Sequence, residues 1–381
     1  MTTRPTLLCR FCSNPVDLPQ RGWVDGDPAY CVAHHALVGR DPWIIGQAAL
    51  DYAEWLHEMD TASLIRWPWR AMNEFAGPLV PGRLTYIAAF PGNGKTSFAA
   101  HLLQHFLRVQ GKKVTYLPLE ADPGETFTRL ACLDCGISAD DALSKRLRDR
   151  VEQGDTVAKA QHDELSVAYR LMREDRQLLE SLRIEPIDAL TPKSFARALH
   201  VAQLQESDVV IVDHMDHAEN DVGESGPEIA LSNAMQSMAL RAAKHLSIPM
   251  ILLTQLNSSR TGGDALAHYR RPSVDWLYNK GKKEQMAANI FGLSRVLDPA
   301  ADGEMIQEVR AGRRDVSSIV LPDVMEVSGM KLRYGGASRD KSIKLKYVRG
   351  HIMDMPNDDS RDVFAADHGI ALGSPSNRRV A

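Results

Sequence analysis

The sequence predicts an α/β protein with a mainly parallel central sheet and a phosphate-binding loop at its strand ends, preceded by a small metal-binding module. Three observations carry that expectation. Short apolar runs alternate with helix-periodic segments; one run leads directly into a glycine-rich PGNGKTS loop; and three of the 5 cysteines fall within the first 31 residues. Strands alternating with helices imply parallel pairing, and open parallel sheets bind ligands at the carboxyl ends of their strands.

At 381 residues the chain holds either one large domain with appendages or two modest ones. A composition of 44% hydrophobic and 25% charged residues excludes a disordered chain, a collagenous repeat and a disulfide-dense miniprotein. The 45 basic and 49 acidic residues leave a net charge of −4, which excludes a surface coated in Lys and Arg but not a local basic channel. No apolar run reaches the roughly 18 residues of a membrane helix, and MTTRPTLLCRFC lacks the apolar stretch of a secretory signal. The expected location is cytoplasmic, with no membrane partner, and the host cytoplasm if the protein is phage-encoded.

The N-terminal residues 1–40 present Cys9-x-x-Cys12, eighteen residues, and then Cys31-x-x-His34. Two close pairs of soft ligands suit a closed tetrahedral zinc site, and the Pro-, Gly- and Asp-rich stretch between them is too poor in apolar residues to fold without one. The C-x-x-H spacing favours His34 as the fourth ligand, while a three-residue gap to His35 also lies within zinc-site spacing. Cys132 and Cys135 repeat the C-x-x-C pattern without a second pair nearby, so they are expected to pack as small hydrophobes on one helix face. Residues 41–64 read as a linker helix, capped by Asp41-Pro42, with Ile45, Ala49, Tyr52, Leu56 and Met59 on one face. That face would dock on its own domain or on a neighbouring subunit.

After a loop-rich stretch through RWPWRAM and FAGPLVPGRL, the strand LTYIAAF runs into PGNGKTS and then into the helical FAAHLLQHFLRV, closed by Gly111. Strand, glycine loop, helix is the context a phosphate-binding loop requires. Gly92, Asn93 and Gly94 are candidates to wrap the phosphates with backbone N–H groups, Lys95 to bridge the β- and γ-phosphates, and Thr96, followed by Ser97, to bring a hydroxyl to Mg²⁺. The strand in KKVTYLPLEAD ends at Glu120, a carboxylate suited to deprotonate an attacking water. Residues 137–190 read as charged, solvated helices. VVIVD is a buried parallel strand whose terminal Asp213 suits the Mg²⁺-linked acid of an NTPase, with Asp216 the weaker candidate and His214 and His217 expected as polar loop residues. The helix SNAMQSMALRAAKHL then leads to IPMILLTQ, ending in Gln255, a candidate sensor of the γ-phosphate.

In order and spacing, the segments AAFPGNGKTSFAA, LPLEAD, VVIVDHMDHA, IPMILLTQLNSSR, RRPSVDWLYNKGKKEQMAANIFGLSR and MKLRYGG resemble the C-terminal ATPase domain of the DnaB-type replicative DNA helicases. The resemblance spans roughly residues 65–355. It implies a RecA-like P-loop NTPase using ATP or another NTP with Mg²⁺, arranged as a homo-oligomer, expected to be a hexamer, that moves 5′→3′ on single-stranded DNA. Glu120 is then the general base, Asp213 the Mg²⁺-linked acid and Gln255 the sensor, while Lys331 and Arg333 of MKLRYGG act in trans on the neighbouring subunit's nucleotide. Ala89, in place of the usual first glycine, is common in that family. The resemblance also implies that Arg260, Arg270, Arg271, Lys280, Lys282 and Lys283 line a channel and neutralise single-strand phosphates.

Two departures stand out. Residues 36–65 are too few to hold a primase domain, so a compact, phage-type helicase is expected, with primase, polymerase or loader as candidate partners. His214-Met215-Asp216 stands where the family often has Tyr-Leu-Gln. Residues 356–381 show little periodicity and are expected to be disordered. Two other readings of the same motifs are a RecA-like recombination or repair ATPase that binds DNA without unwinding it, and a zinc-dependent DNA-binding adaptor.

Overall fold

The computed structural model describes Leu50 and residues 64–119, 121–187, 189–217, 219, 228–257, 261, 266–277, 280–333, 342–348 and 351–355. The chain divides into two units, Met1–Leu64 and Ile65–Ala381. In the first, Leu50 is helical and exposed and Leu64 lies in a bend; the cysteine–histidine cluster and the rest of the expected linker helix lie outside the described residues, as do residues 356–381.

The second unit opens with helix α1 (Arg70–Ala76), in a stretch expected to be loop. The strand β1 (Leu84–Ala89) is buried at every position and is followed by helix α2 (Lys95–Gln104), which continues through a π turn at His105–Val109. Next come β2 (Val114–Pro118) and helix α3 (Pro123–Cys135). Helix α3 begins on Asp122, whose side chain accepts the Gly124 N–H at 2.6 Å, and stops at Gly136 with φ of 69°.

The expected charged helices are α4 (Ala139–Leu143), α5 (Arg146–Glu152), α6 (Thr156–Glu174) and α7 (Arg176–Ser181). They are not fully solvated: Leu147, Leu165, Ala168, Met172 and Leu178 are buried in the same core as α2 and α3. They also end in a short strand, β3 (Leu182–Ile184), that the charge pattern conceals. Helix α8 (Pro192–Leu204) starts from a Thr191/Ser194 capping box and leads to β4 (Val209–Asp213), and helix α9 (Glu228–Leu246) leads to β5 (Met250–Gln255). Helix α10 (Lys280–Met286) precedes the long β6 (Ala287–Leu297), then come helix α11 (Gly303–Arg310), β7 (Val320–Leu332), β8 (Ser342–Val348) and β9 (His351–Asp354).

Among the described residues these strands form a nine-stranded sheet in the order β3-β2-β4-β5-β1-β6-β7-β8-β9. Strands β3 through β6 in that order run parallel, and the sheet then continues antiparallel, β7 pairing with β6, β8 with β7 and β9 with β8. Alternation along the central strands supplies both faces. Ile87, Ile211, Ile251 and Leu253 pack with Phe98, Leu102 and Phe106 on one side, whereas Tyr86, Val210, Val212 and Leu252 pack with Phe195, Met235 and Ala239 on the other. Burial on both faces is why these strands read as continuous apolar runs.

Candidate functional site at the strand ends

Strand β1 ends at Ala89, directly opposite Gln255 at the end of β5, and Pro118 at the end of β2 lies opposite Asp213 at the end of β4. The parallel register therefore brings four strand tips to one edge of the sheet. From β1 the chain turns through Gly92 and Gly94, whose φ values of 78° and 85° favour glycine, and enters α2 at Lys95. A Cβ on Gly92 would meet nothing within 4 Å, so the loop is open there, whereas one on Gly94 would lie 2.8 Å from the Met325 methyl. The loop is thus supported from β7 and accessible at its turn. Asn93 and Lys95 are buried, and Thr96 and Ser97 are half-buried at the start of α2.

This geometry fits a nucleoside triphosphate. The N–H groups at the start of α2 have no helical partners of their own, and the helix dipole favours an anion there. The Thr96 hydroxyl and Asp213 carboxylate are hard oxygen donors of the kind Mg²⁺ prefers. Asp213 is buried, and its Oδ2 accepts the Tyr116 hydroxyl at 3.1 Å. Past β2 the Leu119 N–H donates to the Asp213 carbonyl at 2.6 Å, so the chain leaves beside Asp213; Glu120, the next residue, lies outside the described residues.

Beyond Asp213, after a cis Asp213–His214 peptide, the structure corrects two expectations. His214 does lie in the loop after β4 but is fully buried there, not solvated, with its Nε2 3.1 Å from the Gln255 side-chain amide. Asp216 is committed to protein partners instead of standing by as a second metal acid. Its Oδ2 accepts the Thr254 hydroxyl at 2.7 Å and the Gln255 N–H at 2.6 Å, and its Oδ1 accepts the Lys283 ammonium at 2.6 Å. Burial works to raise the Asp216 pKa, but the Lys283 charge and these hydrogen bonds outweigh it and hold the carboxyl below its ordinary range. The side chain of His217 lies outside the described residues.

The basic residues after Gln255 divide into three groups. Arg260 lies outside the described residues. Arg270 is exposed; Arg271 is exposed too, but reaches Glu326 Oε1 at 2.7 Å and Ser342 Oγ at 2.9 Å; Lys280 pairs with Asp275; and Lys282 is half-buried. Lys283, expected in the channel, is instead fully buried against Asp216 and Thr254. The same segment returns to the phosphate loop: Asn93 Nδ2 donates to the His268 carbonyl at 2.8 Å, and the Phe90 and His268 rings stack at 4.2 Å. Neither this contact nor the Asp216–Lys283 pair leaves a spacing signal, because the partners are 175 and 67 residues apart.

Lys331 lies opposite Ile290, which lies opposite Tyr86, so it sits three residues short of the β1 tip at Ala89. Its ammonium donates to the Glu284 carbonyl and, at 2.8 Å, to the Ala287 carbonyl, capping the end of α10. Arg333 is exposed, with its backbone N–H on the Ala288 carbonyl at 3.1 Å. Away from the site, Cys132 is buried and Cys135 half-buried on α3, as packing hydrophobes should be, and burial pushes the Cys132 thiol up to about 12. Among the described residues there is no group of three or more His, Cys, Asp or Glu placed to hold a metal, and no helix long and apolar enough to cross a membrane.

Residues 67–334 match the model of the DnaB-like helicase C-terminal domain, and the chain belongs to that family. It is 26% identical over 249 residues to a probable plasmid replicative DNA helicase of Chlamydia psittaci, covering 63% of this chain and 48% of that protein. The chain therefore spans about half the length of this curated relative. The fold matches a separately solved ATPase domain with a TM-score of 0.60 at 17% identity, over 82% of this chain and 98% of that one. It also matches a DnaB-like replicative helicase, solved in a study of its interactions with primase, with a TM-score of 0.59 at 17% identity, over 81% of this chain and 66% of that one. These likenesses establish a RecA-like α/β ATPase fold with a mixed, mostly parallel sheet.

Proposed function

We propose that this member of the DnaB-like helicase family is the motor of an ATP-dependent replicative DNA helicase, a ring-forming, hexameric enzyme that moves 5′→3′ along single-stranded DNA and unwinds duplex DNA during replication. One observation carries the reading. The strand tip bearing Gln255 lies beside the phosphate loop, and the basic segment of Arg270, Arg271, Lys280 and Lys282 springs from that same tip. A motor needs this adjacency, since hydrolysis at one end must change the grip at the other.

In this reading Gly92, Asn93, Gly94, Lys95, Thr96 and Ser97 hold the triphosphate, with Lys95 on the β- and γ-phosphates. Thr96 and Asp213 would hold Mg²⁺, which when bound offsets charge on the phosphate oxygens. Glu120 accepts the proton of the attacking water, and Gln255 contacts the γ-phosphate. Lys331 and Arg333 act on the neighbouring subunit's nucleotide. Lys331 lies three strand residues, about 10 Å, short of its own phosphate loop, so a role in trans suits its position better than one in cis. Arg260, Arg270, Arg271, Lys280 and Lys282 neutralise single-strand phosphates without reading sequence. Cys9, Cys12, Cys31 and His34, a thiolate and imidazole set suited to zinc, are the ligands of a proposed module over residues 1–40, with 41–64 as the linker to the ATPase at 65–355. Primase, polymerase or a loader are the partners this arrangement suits.

The test is unwinding of a forked duplex by wild type and Lys95→Ala. Unwinding by wild type alone, with hydrolysis lowered by about 10³-fold in the variant, supports the motor. Robust DNA-stimulated hydrolysis without unwinding, or open helical filaments in negative stain, would return the protein to the recombination and repair ATPases.

A further inference from the structure

The segment after Gln255 leaves the sheet at the nucleotide edge and returns through α10 before entering β6. A buried ion pair fastens that return. Lys283 is fully buried, and its ammonium donates to Asp216 Oδ1 and Thr254 Oγ1, both at 2.6 Å. Thr254 donates its own hydroxyl to Asp216 Oδ2 at 2.7 Å, and the same oxygen accepts the Gln255 N–H at 2.6 Å. One carboxylate thus joins three pieces of chain: the turn after β4, the tip of β5, and the helix that carries Lys280 and Lys282.

Stability does not account for such a pair. Apolar residues of similar volume generally hold a core as well as a buried ion pair does, since desolvation offsets most of the charge attraction. What the pair adds is direction. Short, charge-assisted hydrogen bonds fix the position of α10 relative to the β5 tip, and leaving any one unmade in a buried site is costly. A displacement of the Gln255 backbone must therefore move Asp216, and Asp216 must carry Lys283 with it.

We infer that the Asp216–Lys283 pair is the positioning element through which the state of the Gln255 tip reaches Lys280 and Lys282. The inference rests on the proposed roles of Gln255 as γ-phosphate sensor and of α10 as part of the DNA-contacting segment. The link runs through packed, hydrogen-bonded groups that both sites touch, which is the physical condition for coupling between them.

The full-length chain is tested as wild type, Lys283→Met, and Asp216→Asn combined with Lys283→Met. The single variant leaves a buried carboxylate without its cation and is liable to unfold. The double variant removes the orphaned charge and keeps an amide oxygen for the Gln255 N–H. Thermal melting, binding of a fluorescent ATP analogue, and hydrolysis with and without oligo(dT) are compared. The double variant is expected to bind nucleotide within about twofold of wild type while DNA stimulation of hydrolysis falls about tenfold. Stimulation within about twofold of wild type in the folded double variant would reduce the pair to a packing feature. Hydrogen exchange gives a readout independent of turnover and of the variants' folding. In wild type, a non-hydrolysable ATP analogue should change protection across residues 280–286, and no change there would overturn the inference. A wild type whose hydrolysis ignores DNA altogether would instead overturn the motor reading on which the inference rests.

Discussion

The parallel half of the sheet and its antiparallel flank do different work. Strands β1, β2, β4 and β5 end together at one edge and present the phosphate loop, Asp213 and Gln255. The flank carries Lys331 on β7, with Arg333 just past its end, and its strands supply contacts that hold the other half in place. Met325 lies beneath Gly94. The Ile352 N–H donates to His101 Nε2 at 2.8 Å, the Ile352 carbonyl accepts Trp69 Nε1 at 2.8 Å, and Asp354 caps α1 through the Arg70 and Ala71 N–H groups at 2.9 and 3.0 Å. The contrast shows that the candidate nucleotide-site residues gather where parallel strands stop in register, while the elements holding those stops steady come from later in the chain.

The sharpest way to break this contrast lies in the parallel half. Lys283→Ala leaves Asp216 charged and buried without its cation and should cost about 3–5 kcal/mol of stability. Lys282→Ala, one residue away and half-buried, should change it by no more than about 0.5 kcal/mol. Equal shifts in denaturant midpoint for the two would mean that burial at this edge carries no special weight.

Acid should act next most strongly, through the flank. His101 is held neutral in the fold: its Nε2 accepts the Ile352 N–H, its Nδ1 lies 2.8 Å from the Ser97 carbonyl, and burial lowers its pKa from 6.5 to about 4. An unfolded chain binds this proton below about pH 6.5, so stability is complete above that value and declines as pH falls toward 4, by about 3 kcal/mol. Burial also lowers the His351 pKa, which adds loss of the same sign. Asp155, Asp175, Asp216 and Asp315, with pKa values below the ordinary 3.8, lose their contributions only at lower pH still. Urea midpoints at stepped pH separate the two windows, and His101→Gln should flatten the upper one.

At the seam between the halves, Gly94→Ala imposes a left-handed backbone on a residue with a Cβ and pushes on Met325, a strain of about 1–2 kcal/mol. Nucleotide affinity should fall about tenfold by titration. Adding Met325→Ala relieves the contact but not the backbone strain, so wild-type affinity should not return. A milder loss is expected for Asp354→Ala, which removes the cap of α1 and should cost about 1 kcal/mol by thermal melting.

Legibility follows the same division. VVIVD and MILLTQ stand out in the sequence because strands buried on both faces must be apolar throughout, and the polar residue that ends each run contrasts with it. The glycine loop is equally plain, since left-handed turns at Gly92 and Gly94 and a helix opening at Lys95 demand particular residues in a fixed local order. Helix α1 is hidden for the opposite reason. Its N-cap, Trp69, offers no capping side chain, and the cap comes from Asp354, 284 residues away. His214 reads as a loop residue because nothing local shows that the turn after β4 is covered by the β5 tip.

The amino-acid order alone settles where the central strands and the glycine-rich loop lie and which residues close those strands, since each depends on propensity and periodicity over a few neighbours. Tertiary structure alone decides the partners of those ends. Of two lysines adjacent in sequence, packing leaves Lys282 half-buried and shuts Lys283 in against Asp216. Burial, and with it the strength of every charged contact, is a property of the assembled fold and leaves no period in the sequence.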